Sequence, residues 1–346
     1  MESYGPLLEK TRVPQPGLQK LAVESIFSKL RSAPKHLDPE SEPGRRAIFL
    51  CLTSPSPHVV DHSVRLLCRL AADSVVPVAR ASLELQAALE GSDPKLVPVF
   101  VKGLGFLARH EFRNNASSHS ASSHTHPFVR VLLCRPEVQS ELLQQVLLFM
   151  LQNKQVGMVR VCEFLRPLLD VSIIKLLVLE SSSSSFAMQL VSSMVTFCCS
   201  FPHDSMPVFK LLIECLKYLP HEGSEDYRKL IFIVEHMVEA YIVVLKSLAG
   251  MKSQLITEAQ LCAVEFLETV LSLSTCLQWH PGGHEPVCEL FMRLLTVQKD
   301  IGLAWLPGLS STIVSLFIII VQSELEHEQI SILKLLLLIL KWKYDS

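Results

Sequence analysis

Apolar residues recur along this chain at spacings of three and four, the period that lines side chains up on one face of an α-helix. Leu21, Ile26, Phe27 and Leu30 fall near one face of 18–31. Val60, Val64, Leu67, Cys68 and Ala71 do so within 57–72, as do Phe209, Leu212, Ile213, Leu216 and Leu219 within 205–219. The same spacing predicts helices over 45–52, 75–89, 94–109, 128–134, 136–152, 156–169, 173–179, 186–199, 224–248, 257–277, 287–297, 309–321 and 326–343. Start signals agree with several of these. Asp93-Pro94 offers a cap and a first turn, and Thr257-Glu258 and Ser224-Glu225-Asp226 place acid where the helix dipole favours it. Strictly alternating runs that would mark half-buried strands are absent.

Punctuation divides the pattern. Residues 1–16 read as an irregular lead, broken by Pro6, Pro14 and Pro16 and without apolar period. From 17 to 346 the helices form one array, interrupted by flexible loops at about 111–127, where Asn-Asn-Ala-Ser-Ser-His-Ser-Ala-Ser-Ser-His-Thr-His falls, and at 180–185, a run of serines. Many helices of ten to twenty residues joined by short turns, with no strict consensus, predict an all-α, armadillo/HEAT-like helical-repeat solenoid. The last helix, Ile330 to Trp342, is apolar on more than one face. A closing repeat ordinarily turns a polar face outward, so this helix is expected to pack on a partner, or the chain is a portion or splice form of something longer.

Composition narrows the class. The chain has 346 residues, 49% hydrophobic and 19% charged, the latter below the ~25% usual for soluble domains, so most helices should be well buried. Lys plus Arg number 32 against 34 Asp plus Glu, a formal net charge of -2. With neither a basic excess nor a visible basic stripe, no direct nucleic-acid binding is expected. The ten cysteines sit mostly inside apolar helical patterns and include no Cys-x-x-Cys, which reads as buried free thiols in a reducing compartment. The uncharged run Ile301 to Gln322 is long enough to span a bilayer, but Gly302, Pro307 and Gly308 interrupt it and packed core helices account for it better; no membrane span is expected.

Candidate chemistry is sparse. Cys276, His280, His284 and Cys288, spaced by four, supply two thiols and two imidazoles, a set that suits tetrahedral zinc. They straddle Pro281-Gly282-Gly283 instead of sharing a helical face, so the preferred reading is two core thiols and two loop histidines, with no metal and no cofactor. His58 and His62 lie one helical turn apart without the Glu of a metalloprotease motif, and His119, His124 and His126 belong to the polar loop. The pair Cys198-Cys199 is read as packing, and Gly103-Leu-Gly105 as close helix contact. Trp279, Trp305 and Trp342, each near a loop or an end, are read as core or cap residues sooner than binding anchors. No nucleophile elbow or phosphate loop occurs, so no enzyme activity is expected.

Three segments carry a resemblance: Leu18-Gln-Lys-Leu-Ala-Val-Glu-Ser-Ile-Phe27, Phe128-Val-Arg-Val-Leu-Leu-Cys-Arg-Pro-Glu137, and Glu326-His-Glu-Gln-Ile-Ser-Ile-Leu-Lys-Leu-Leu-Leu-Leu-Ile-Leu-Lys-Trp342. In these the chain resembles the vertebrate meiosis inhibitor protein family, armadillo-like proteins required for programmed double-strand break formation in meiosis. The resemblance implies a non-enzymatic, nuclear, germ-line scaffold acting beside the break-forming machinery, with this chain a portion or short isoform. It carries over no site residue. The alternative from the residues alone is a cytoplasmic HEAT-like scaffold in trafficking or complex assembly.

Overall fold

The structure, a computed structural model, describes residues 4–32, 38–114, 126–135, 138–178, 183–217, 227–276 and 283–345; the side chains of 173–178, 183–185, 227–229 and 274–276 also lie outside the description. Among the described residues there are sixteen α-helices and no strand. They form two compact units, Met1–Val156 and Gly157–Ser346.

The first unit holds α1 (Gly5–Lys10), α2 (Pro16–Ser32), α3 (Glu42–Leu52), α4 (Pro57–Ala72), α5 (Val78–Glu90), α6 (Val97–Asn114), α7 (Pro127–Cys134) and α8 (Gln139–Asn153). Helices α2, α4, α6 and α8 pack side by side in one layer; α3, α5 and α7 form the other. The second unit repeats the plan. Here α10 (Ser183–Ser200), α12 (Tyr227–Gly250), α14 (His284–Asp300) and α16 (Glu326–Asp345) make one layer. The other comprises α9 (Met158–Val178), α11 (Ser205–Lys217), α13 (Ile256–Cys276) and α15 (Leu309–Gln322). Each unit is thus an all-α helical-repeat stack of the armadillo/HEAT-like kind, as the periodicity predicts.

Side-chain partners reveal the repeat that no consensus displays. Lys210 pairs with Glu258 and Lys217 with Glu265, both at 2.6 Å and both 48 residues apart. Lys299 reaches Asp345 at 2.6 Å across 46 residues. Gln260 donates to the Ala304 carbonyl at 2.7 Å across 44. In the first unit Arg31 pairs with Asp73, 42 residues on, and Arg130 with Glu90, 40 residues back. A polar group on one helix thus meets its counterpart one helical pair away, at the ~40-residue period of these arrays.

The helix ends use several devices. Ser41 caps α3 by accepting from the Gly44 amide at 3.2 Å. Helix α14 closes in a Schellman turn: Gly302 sits at φ 77°, Leu303 N–H donates to Gln298 O at 3.0 Å and Gly302 N–H to Lys299 O at 2.9 Å. Ser74 and Lys252, at φ 58° and 50°, close α4 and α12 in the same way without a glycine.

Three expectations about connections change, the first being that the helices expected over 156–169 and 173–179 run as one helix, α9, with Pro167 inside it. The lead is not irregular throughout, because Gly5–Lys10 is helical and packs on α2, with Tyr4 buried and the Lys29 ammonium 5.9 Å from its ring. Pro6 does not prevent this, since a first-turn proline sacrifices no intrahelical hydrogen bond. Helix α6 also runs into the expected loop as far as Asn114, its end tied down by Arg113 donating to Asn153 Oδ1 at 2.9 Å.

The core of the second unit is centred on aromatics. Phe266 is fully buried, 5.7 Å from the ring of Tyr241 and 5.4 Å from that of Phe291. Phe266→Ala should therefore destabilise this unit by about 3–5 kcal/mol, read as a lowered urea midpoint of the transition that unfolds Gly157–Ser346.

Candidate interaction surfaces

Between α4 and α6 of the first unit runs a groove of about 480 Å³. Its floor is Val64, Cys68 and Gly103, and Phe106 forms one wall, 41% exposed. Gly103 lets the helices approach, for a Cβ there would stand 2.6 Å from Val64 Cγ1. Gly105 plays the same part against Gln145 of α8, so both glycines of the Gly103-Leu-Gly105 run serve packing.

Cations line this face. Arg65 is held by Asp61 of its own helix at 3.0 Å, and Lys102 stands 3.7 Å from Glu141 of α8. Exposed Arg69 makes no ion pair or hydrogen bond among the described residues. Arg109 donates to Gln145 Oε1 and Arg113 to Asn153 Oδ1, both at 2.9 Å and both to neutral groups. Burial, and then repulsion from Arg113, push the Arg109 guanidinium pKa below its ordinary value. Linear reading of the chain finds no basic stripe. In the fold Lys102 of α6 lies along the groove with Arg65 and Arg69 of α4, and Arg109 and Arg113 follow it at helical spacing along α6, where they reach α8.

A second surface lies on the last two helices. Helix α16 buries Ile332, Leu335, Leu336, Ile339 and Trp342. It leaves Ile330, Leu333, Leu337, Leu340 and Tyr344 exposed, in alternating steps of three and four. Helix α15 likewise exposes Val314, Phe317, Ile318 and Val321, the last at 85%. Apolar stripes of this kind mark surfaces that are covered in association. The uncharged run Ile301 to Gln322 contains only 14 helical residues, Leu309–Gln322, about 21 Å of helix. Among the described residues no helix is long and apolar enough to cross a membrane.

The zinc candidates separate into two parts. Cys276, as a side chain, and His280 lie outside the described residues. Cys288 is buried in α14, its thiol pushed up to about 12 by burial and the neighbouring carboxylates, Glu328 foremost. His284 starts α14, where its backbone N–H donates to Glu328 Oε1 at 3.1 Å and its ring Nδ1 lies 3.4 Å from the same oxygen. Glu328 also accepts from Ser323 Oγ at 2.8 Å. Burial raises its pKa, but the hydrogen bonds and the His284 charge outweigh that and leave it below the ordinary value. A carboxylate at a helix N-terminus is a cap, one that was not legible in the sequence because it comes from 44 residues away. Among the described residues no group of three His, Cys, Asp or Glu could hold a metal.

The remaining candidates have structural partners. His62 meets Glu24 of α2 at 3.1 Å while His58 is exposed. His126 is buried, accepts from the Val129 amide at 3.4 Å to cap α7, and packs edge-on to Phe128; His119 and His124 lie outside the described residues. Trp342 is a core residue whose Nε1 donates to Leu303 O at 3.2 Å. Trp305 lies under the Lys343 ammonium, 5.0 Å from its ring centre, and Trp279 falls outside the described residues. Cys198 is buried, with Sγ 3.8 Å from Ser205 O, and Cys199 is half-buried.

The model of the Focadhesin/RST1 family, DUF3730, matches residues 83–346. The chain belongs to the Focadhesin/RST1 family. That assignment agrees with the two-layer helical stacks, since the family is of helical-repeat type. No curated protein matches the sequence. Among solved structures, an engineered protein aligns over 100% of this Focadhesin/RST1 chain and 92% of its own, at 14% identity and a TM-score of 0.33.

Two outcomes follow from these surroundings. Burial raises the thiols of Cys51, Cys68, Cys162 and Cys288 to about 12, so the thiolate is scarce at pH 8. Of the cysteines with described side chains, iodoacetamide should modify exposed Cys134 first in the native chain and leave those four intact until denaturation, as read by peptide mass spectrometry. Glu328→Gln should lower the melting temperature at pH 7. The stability due to Glu328 is present above the unfolded-state pKa of a glutamate and is lost as pH falls through the depressed folded value, so the difference between wild type and variant should shrink in acid.

Proposed function

We propose that this chain is a non-catalytic, nuclear protein-interaction scaffold that works beside the machinery of meiotic double-strand break formation. The coarser part rests on the fold: a family of helical-repeat type, built here as two-layer stacks with exposed apolar stripes and a grooved face. Stacked helical repeats offer extended surfaces on which partner segments can lie. The buried thiols, whose raised pKa keeps them protonated, suit packing more than nucleophilic chemistry.

The finer part rests on the resemblance of residues 18–27, 128–137 and 326–342 to the meiosis inhibitor proteins. Two of these segments lie on α2 and α16, and the middle one overlaps α7. The same fold would serve a cytoplasmic scaffold equally well. Affinity purification of the endogenous protein from testis and from a somatic tissue, each split into nuclear and cytoplasmic fractions, separates the two. Break-formation proteins co-purifying from testis nuclei are the expected result. Trafficking or complex-assembly partners from somatic cytoplasm, with none of the meiotic set, would overturn the proposal.

A further inference from the structure

We propose that the groove between α4 and α6 receives an amphipathic helix of a protein partner, with apolar anchors on one face and Asp or Glu beside them. This rests on the scaffold reading and names the kind of segment that the first unit would hold. The floor dictates the anchors. Val64, Cys68, Ala72, Val99 and Gly103 present carbon and a thiol that burial keeps protonated, so nothing there can hydrogen-bond a polar ligand well. Gly103 lets α4 and α6 approach beneath the groove, and Phe106 lines it, stacked on His110 at 6.3 Å and 6°. An open apolar groove between two packed helices can accept a third helix by its apolar face.

The rim dictates the flanks. Arg65, Arg69 and Lys102 border the trough, against Asp61 and the Glu141 that pairs with Lys102, and Arg109 and Arg113 follow Lys102 along α6. Each of those two carboxylates is already engaged by a rim cation, and Arg69 is not engaged among the described residues. An acidic flank would therefore gain attraction at Arg69 and along α6 without displacing a strong pair. A polynucleotide would meet the same cations, but its phosphates and sugars would leave an apolar floor uncovered. The net charge of -2 also supplies no wider basic field to hold it.

The test selects helical 16-residue peptides by display on the full chain and measures the winners by fluorescence anisotropy. A labelled single-stranded oligothymidine is titrated in parallel. Peptides with apolar residues at helical spacing flanked by Asp or Glu are expected to win. Arg69→Glu with Lys102→Glu, both exposed positions, should weaken them at least about tenfold and increasingly so at low salt. Phe106→Ala should also weaken them, whereas Lys246→Glu in the second unit should not. Circular dichroism melting checks that each variant keeps its fold. Failure to enrich any peptide, enrichment of peptides without acid, or equal binding by the charge-reversed variant would each overturn the proposal. So would oligothymidine binding that the same reversal abolishes and that exceeds peptide binding. If meiotic partners are still captured from testis by the charge-reversed chain, the groove assignment fails while the scaffold reading stands.

Discussion

Most described helices of this protein bury an apolar stripe against more than one neighbour, so they depend on being sandwiched. In the second unit Tyr241 of α12 stacks on Phe209 of α11, with ring centres 3.8 Å apart, and lies 5.7 Å from Phe266 of α13. In the first, Phe149 of α8 meets Phe112 of α6 and Phe128 of α7 at 4.9 and 6.2 Å. A helical pair taken alone would leave one side of these clusters in water. Only stacking removes it, and burial at roughly 25 cal/mol per Å² is the main force that builds such an array.

Polar side chains contribute register more than strength. The Lys–Glu and Lys–Asp pairs across 46–48 residues in the second unit are surface pairs at 2.6 Å. Exposed pairs of this sort are typically worth under about 1 kcal/mol each. Their value lies in geometry: a slip of one helical turn would part every pair at once. Glu328 goes further, since a single carboxylate from α16 caps α14 and so fastens the start of one helix to the next in its layer.

Function follows from which side chains the sandwich leaves outside. The α4–α6 face of the first unit keeps an apolar trough between cations, and α15 and α16 of the second keep apolar stripes of their own. These are different surfaces chemically, one suited to charge-guided docking and one to plain apolar burial. Membership of the Focadhesin/RST1 family is consistent with a body made of helical repeats.

Helix positions were legible because the three-and-four spacing of apolar residues is a local property, and burial of those faces is what each helix needs. The expected helices over 57–72 and 205–219 correspond to α4, Pro57–Ala72, and α11, Ser205–Lys217. Local signals misled where tertiary contact supplied what the sequence lacked: α1 forms with Pro6 in its first turn and packs on α2, and α4 and α12 close with Ser74 and Lys252, not a glycine, in the left-handed conformation. The basic face had a trace in the spacing of Lys102, Arg109 and Arg113, yet its other half, Arg65 and Arg69, sits on a different helix. The sequence by itself determined most helix positions and the class of fold, since the three-and-four spacing that sets them is a property of neighbours within a few residues. Tertiary structure alone decided the caps from distant helices, the groove and its ring of charge, because each is assembled from residues some forty positions apart that meet only once the layers pack.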